Sequence, residues 1–438
     1  MEVKVEAQAL LSAAAAERRR GQLGAALDLA ERAHGEWPGY GRARQFVAEV
    51  APQATATVAS AATATAATVA TATAASVQAT AAQAQAVQTA QAQAAATAQA
   101  RAAERPFGYG ATIADASPAP GRSFDLARQA GFTHAYVVLD WANVQRDGGR
   151  FAWDTGEAND LDNFLSAARA TGLRLIVRLD RPRGWSGSLS ALDPGAMEHF
   201  AAGVAGRARG SAAAYEVLNE PNLPYEWGGP PDPAAYARLL AAAARGIKGA
   251  DPSAAVLAAG LAPHTGGQGG SIEDVDFLRG MYRAGARGTF DALGIHAYGG
   301  TSAPAQQPPS CGICFRRAER YRQVMVEHGD AATPAWITEV GYLHATGTAL
   351  GTYNWMKVGP EQQASYLAAA FQYALEHWPW LGGIVVFNLD FATVPWNPPT
   401  AGAYWLSLLH PDGSPRPAYT ALREMAKPGA AEPLPTGR

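Results

Sequence analysis

The sequence predicts a (β/α)8 barrel, a closed parallel sheet of eight strands ringed by helices, behind a short α-helical region and a low-complexity linker. Three observations predict it. Residues 105–438 alternate apolar strand runs with helical segments, eight strands in about the length such a barrel takes. Several strands are continuous apolar runs, as in a parallel sheet covered on both faces. The first strand continues as FGYGATIADASP. It lacks the glycine fingerprint that an open dinucleotide-binding sheet usually carries there.

The elements follow in order. Residues 1–50 are charged and Ala/Leu-rich and read as a helical hairpin. Gly21, Leu23, Ala26, Ala30, Ala33 and Pro38 fall where a tetratricopeptide repeat places small packing residues and its closing proline. The region resembles one such repeat and the start of another. One repeat cannot bury its own face, so the alternative is an Ala-rich hairpin without a partner. A protein partner, if there is one, would bind through residues 1–50.

Residues 51–104 are almost wholly Ala, Thr and Gln. Such a segment buries too little apolar area to offset chain entropy. The Thr-Ala half is expected to be disordered, and the Gln-Ala half, up to Arg101, helical by propensity. The whole reads as a linker.

In residues 105–438 the expected strands are Phe107–Ile113, His134–Trp141, Leu173–Asp180, Ala214–Asn219, Ala254–Leu261, Ala292–Tyr298, Ala335–Glu339 and Gly383–Asn388. Helices are expected at Ser123–Ala130, Leu161–Thr171, Pro194–Arg209, Pro233–Gly249, Ser271–Ala284, Ala318–Glu327, Glu361–His377 and Ala418–Met425.

Charge and composition exclude several functions. A formal net charge of −3 over 438 residues gives no basic footprint for nucleic acid and no polybasic membrane patch. The uncharged run Val50 to Ala100 is long, but Ala, Thr and Gln transfer poorly into lipid, so no transmembrane helix is expected. The start, MEVKVEAQALLSAAAAERRR, carries its charges on the wrong sides of the apolar run for an export signal. Two cysteines are too few for a disulfide scaffold or a four-cysteine zinc site. No metal and no cofactor is expected.

Active groups of a barrel sit at the C-terminal ends of its strands. Those ends carry Asp140 and Trp141, then Arg178, Asp180 and Arg181, then Asn219 and Glu220, His296 and Tyr298, Glu339, and finally Asn388 and Asp390. Two carboxylates stand out: Glu220 in YEVLNEPNL and Glu339 in AWITEVGY. Each ends an apolar strand, where a charge is costly unless it is satisfied or used. Only the fold could bring them together. Two glutamates there can flank a sugar ring, and a separation of roughly 5–5.5 Å suits retaining glycoside hydrolysis.

These residues resemble a known group. Asn219-Glu220-Pro221 is similar to the acid/base motif of the clan A glycoside hydrolases, and Thr338-Glu339-Val340-Gly341 to their nucleophile motif. His296-Ala297-Tyr298 is similar to their strand-six His-x-Tyr. The ending WLSLLHPDGSPRPAYTAL is similar to their last loop and helix, so the resemblance spans roughly residues 105–427. It is nearest to family thirty-nine and the cellulase-like family five, including bacterial exopolysaccharide-cleaving relatives.

The resemblance implies roles. Glu220 would be the general acid/base, protonated at rest, and Glu339 the nucleophile of a retaining double displacement. Asn219 would bond the sugar 2-hydroxyl. Tyr298 would donate to Glu339, and His296 would bond a substrate hydroxyl or a neighbouring carboxylate. Arg178 and Asn388 are further candidate substrate contacts. The strand-eight end, Val386-Phe387-Asn388, departs from the pattern, with Phe387 where many relatives have tryptophan. Loop aromatics Trp185, Tyr225, Trp227, Tyr353, Trp355 and Trp396 are expected to stack on sugar faces, the alternative for each being ordinary loop packing.

Cys311 and Cys314, in CGIC, fit a local disulfide, a redox pair or half a zinc site, with a loop-closing disulfide preferred for an exported protein. The expected substrate is a β-linked polysaccharide or oligosaccharide. Such a substrate and CGIC point outside the cell, although no export signal is legible. The alternative function is a catalytically silent carbohydrate-binding barrel on a helical interaction arm.

Overall fold

The computed structural model describes residues 2–104, 106–114, 121–145, 149–153, 159–181, 187–345 and 350–430. They form two compact units, Met1–Gln93 and Ala94–Arg438.

In the first unit, α1 (Glu2–Arg19) and α2 (Leu23–Glu36) pair, and α3 begins at Gly41. Alanines at helical spacing make the contact: Ala7 and Ala14 on α1, and Ala26, Ala30 and Ala33 on α2, are fully buried. Ala43 and Val50 are buried on the start of α3. Such methyl groups bring about 0.8 kcal/mol per buried carbon, so the packing is close but the driving force small. Arg18 adds a cation–π contact to Phe46 and an ion pair of 3.2 Å to Glu49.

The helix α3 runs from Gly41 to Glu104. The Thr-Ala half of the linker is therefore helical, contrary to the disorder expected of it. Alanine propensity favours this, and the threonine hydroxyls bond back to the carbonyl four residues earlier, as Thr63 does to Ala59 and Thr71 to Ala67 at 2.9 Å. Those bonds satisfy the hydroxyls within the helix. Within Gly41–Gln78 an 18-residue window reaches a mean hydropathy of 1.2, which meets a membrane span by length and composition alone.

The second unit contains a closed, all-parallel barrel: β1 (Gly108–Thr112), β2 (His134–Asp140), β3 (Arg174–Asp180), β4 (Ala212–Val217), β5 (Ala255–Ala258), β6 (Ala292–His296), β7 (Ala335–Val340) and β8 (Leu381–Val386). Each strand pairs with the next in sequence, and β8 closes on β1. The eight strands are those expected, within three residues at each end. The flanking helices include Pro194–Arg207, started by Asp193 capping Ala196 N–H at 3.0 Å, and Pro233–Ala250, started by Asp232.

Strand residues two apart share a face. Tyr136, Ile176, Ala214, Leu257, Ala292 and Val385 form an inner cluster with Trp336. Their neighbours, such as Val137, Val177 and Tyr215, join the larger core beneath the helices. Trp336 fills the barrel floor because Gly108 and Gly383 leave it room; a Cβ on either would overlap the indole. The same inward parity continues upward through Arg178, Glu216, His296 and Thr338.

Candidate active site

Two backbone irregularities aim the carboxylates. At the end of β4, Leu218 (φ 68°) and Glu220 (φ 38°) adopt the left-handed region, uncommon for residues with a Cβ. Glu220 N–H bonds the carbonyl of Gly260 at 3.1 Å and Leu223 N–H bonds that of Glu220. The chain thus leaves the strand in a tight turn that brings Asn219 and Glu220 to the barrel mouth. On β7, Ile337 and Glu339 face successive β6 residues, Ile295 and His296, so β7 carries one extra residue here. The slip recurs against β8, where Ile337 and Val340 face Ile384 and Val386. This bulge lets consecutive residues Thr338 and Glu339 both serve the interior, which an unbroken strand would forbid.

The side chains converge. Oxygen atoms of Glu220 and Glu339 and a ring nitrogen of His296 all lie within 4.8 Å of one another. His296 Nδ1 is 2.8 Å from Glu220 Oε1 and 3.6 Å from Glu339 Oε2. Tyr298 donates its hydroxyl to Glu339 Oε2 at 2.6 Å. Arg178 Nη1 donates to Glu339 Oε1 at 3.1 Å and to Asn219 Oδ1 at 2.8 Å, while Nη2 bonds Asp180 at 3.0 Å. Glu339 is thus fixed at both oxygens, one by a guanidinium and one by a phenol. Two carboxylates and an imidazole are donor types that also hold metals. Here their atoms are engaged with one another, with Arg178 and with Tyr298.

Burial and charge tune the set. Burial alone would lower the His296 pKa, but the carboxylates of Glu339, Glu220 and Glu216 outweigh it and push it up to about 9. Burial and then Glu339 hold the Tyr298 phenol well above its ordinary range, so it remains a donor. Burial, followed by Asp180 and Glu220, pushes the Glu226 carboxyl up to about 7.

Of the remaining candidates, Trp396 is 60% exposed and meets Phe391 edge-on. Tyr225, Tyr353 and Trp355 are also exposed, and the two phenols lie within the electrostatic reach of Glu220 and Glu339. Two candidates are corrected. Trp227 is fully buried, packs against Tyr236 and donates its indole N–H to Ser190 at 2.9 Å, so it has no face for a ligand. Asn388 is fully buried with both ends of its amide used, Nδ2 to the Ala403 carbonyl and Oδ1 from Phe391 N–H, so it braces the loop after β8. Trp185 lies outside the described residues. Cys311 and Cys314 are joined by a disulfide in the loop after β6.

Sequence reasoning missed Glu216. It lies inside β4, fully buried, and accepts from Tyr136, Gly260 N–H and Thr338. The available signal was its parity: a charged residue two after Ala214 on the inward face of an apolar strand.

Fold and site together define a (β/α)8 barrel with a paired-glutamate mouth. No family model matches the sequence, and no curated protein matches it. Among solved structures, the chain is similar to a glucosidase from Croceicoccus marinus, with TM-score 0.55 and 19% identity over 73% of this chain and 66% of that one. It is also similar to a family 39 glycoside hydrolase from the gut symbiont Bacteroides cellulosilyticus WH2, with TM-score 0.53 and 19% identity over 74% of this chain and 64% of that one. The catalytic core of a xylanase A gives TM-score 0.51 and 16% identity over 73% of this chain and 98% of that one. The chain thus spans just under two thirds of the first two. At these identities the likeness is one of fold, a (β/α)8 barrel.

Proposed function

We propose that the chain is a retaining glycoside hydrolase that cleaves O-glycosidic bonds in a β-linked polysaccharide or oligosaccharide. The observation that carries this reading is the proximity of Glu220 and Glu339, within 4.8 Å at the ends of β4 and β7. Retaining enzymes hold their carboxyl groups roughly 5–5.5 Å apart, whereas inverting ones leave about 6.5–9.5 Å for a water.

The roles follow from the neighbours. Glu339, fixed by Arg178 and Tyr298, attacks the anomeric carbon and forms a glycosyl-enzyme intermediate. Glu220 protonates the departing oxygen and then, as a base, activates the water that hydrolyses the intermediate. Asn219, its Oδ1 anchored by Arg178, keeps its amide N–H groups for the sugar 2-hydroxyl. The exposed rings of Tyr225, Tyr353, Trp355 and Trp396 offer stacking faces for neighbouring sugar units.

A panel of aryl β-glycosides, followed by 1H NMR of the first product formed, tests the reading. Release of the β-anomer is expected. Initial release of the α-anomer, or binding of oligosaccharides without turnover, would overturn it, the latter in favour of a silent sugar-binding barrel.

A further inference from the structure

Glu216 has no task in the mechanism above, yet its carboxylate is fully buried in the barrel interior. It accepts three hydrogen bonds: from Tyr136 OH at 2.7 Å, Gly260 N–H at 2.6 Å and Thr338 OH at 3.0 Å. Among the described residues no lysine or arginine pairs with it. A buried carboxylate costs several kcal/mol, and a well-packed apolar residue often serves stability as well or better. Burial raises its pKa, opposed first by His296 and then by the Tyr136 and Gly260 hydrogen bonds.

Two of its donors join Glu216 to His296. A Cβ on Gly260 would overlap Nε2 and Cδ2 of His296 and crowd the Thr338 hydroxyl. The Nε2 edge of the ring thus rests on Gly260, beside Thr338, and both of these groups bond Glu216 Oε1. The opposite edge, at Nδ1, faces Glu220 and Glu339. Nε2 itself is buried and has no hydrogen-bond partner, so no local acceptor holds a proton there. The ring stands between Glu216 below and the two carboxylates above.

We propose that Glu216 is a positioning residue: its buried carboxylate, seated against the Nε2 edge of His296 through Gly260 and Thr338, keeps the imidazole charged as a cationic brace between Glu220 and Glu339. Tyr298, just after β6, meets the ring edge-on; Tyr136 of β2 is bonded to Glu216, and Arg178 of β3 to Glu339 and Asp180. Strands β5 and β8 contain no titratable residue, and Tyr109 of β1 bonds outward to Pro428. Burial works against the charged ring; Glu339, Glu220 and Glu216 together overcome it. Neutralising Glu216 removes one of three supports, so His296 loses its proton at a lower pH. Above that pH the two carboxylates face each other without a cation, and their division of labour is disturbed. This consequence for turnover rests on the reading of Glu220 and Glu339 as the catalytic pair; the charge on His296 does not.

The test is a 15N-histidine NMR titration of the full chain, with the His296 signal assigned by its absence in His296→Gln. The wild type is expected to keep the imidazolium beyond pH 8. In Glu216→Gln, which keeps shape and hydrogen-bonding capacity, the midpoint is expected to fall by about one pH unit or more, a tenfold weaker hold on the proton. The alkaline limb of kcat/KM should move down with it. If Glu216→Gln does not fold, Glu216→Met, which removes the charge and leaves no buried amide, should lower the midpoint in the same direction. An unchanged His296 midpoint in the folded variant, or a neutral ring in the wild type at pH 7, would overturn the proposal. Both results are readable whether or not glycosides are hydrolysed.

Discussion

Tyr298→Phe removes a single hydrogen bond and almost no volume. The lost bond is the 2.6 Å contact to Glu339 Oε2, made where Glu339 is only 5% exposed. Hydrogen bonds to charged groups contribute about 1.5–3 kcal/mol. At 1.36 kcal/mol per tenfold in rate, the variant should lose about 10- to 150-fold in kcat/KM. Glu339 Oε1 keeps its bond to Arg178, so the loss should stay well short of that in Glu339→Gln. The effect falls on nucleophilic attack, so aryl β-glycosides with good and poor leaving groups should suffer alike. The phenol is held well above its ordinary range, so the alkaline limb of the pH profile should not move. The assay is kcat/KM over a leaving-group series, with a denaturant melt as the control for folding. A loss under threefold would refute the argument that Tyr298 orients Glu339. A loss confined to poor leaving groups would place Tyr298 with the acid instead.

Further outcomes are expected. Trp227→Phe should cost about 1–3 kcal/mol in a urea melt, from the lost Ser190 bond and packing volume, and leave KM for oligosaccharides unchanged. Trp396→Ala should do the reverse: stability within about 0.5 kcal/mol, as for an exposed residue, and a severalfold higher KM. His134, buried beside Arg174 and under Trp336, has its pKa lowered to about 3, by burial first and the arginine second. The unfolded chain then binds a proton that the folded one refuses, so stability should fall as pH drops below about 6.5, by up to about 1.4 kcal/mol per pH unit until pH 3. Urea melts between pH 4 and 7 check this; His134→Gln should flatten the slope, and an equal slope in that variant would refute the assignment.

The barrel was legible because its strands are apolar runs and its helices carry caps and prolines where helices begin. Strand ends such as Asp140, Asp180 and Glu339 could be read directly, and so could the glutamate motifs. What the sequence hid depends on direction. Trp227 and Trp396 look alike in a loop, yet one indole turns into the core and the other to solvent. Asn388 ends a strand as Asn219 does, but the returning chain near Ala403 claims its amide. Glu216 was hidden because its use depends on Tyr136, Gly260 and Thr338, contributed by other parts of the barrel. The helix through residues 51–104 reversed an argument from entropy: the segment lacks apolar surface for a core, but a helix satisfies its own backbone and threonine hydroxyls.

The central claim is the division of roles between Glu220 and Glu339, and azide rescue tests it most directly. In Glu220→Ala, an activated aryl β-glycoside should still form the intermediate, which then accumulates for want of a base; azide, needing none, should restore turnover and give the β-glycosyl azide. In Glu339→Ala, azide entering the vacated side should give the α-azide. The measurement is the anomeric configuration of each azide product by NMR. The β-azide from Glu220→Ala with the α-azide from Glu339→Ala is the predicted result. The opposite pairing would reverse the roles, and two variants with undiminished activity would contradict the catalytic account of this barrel.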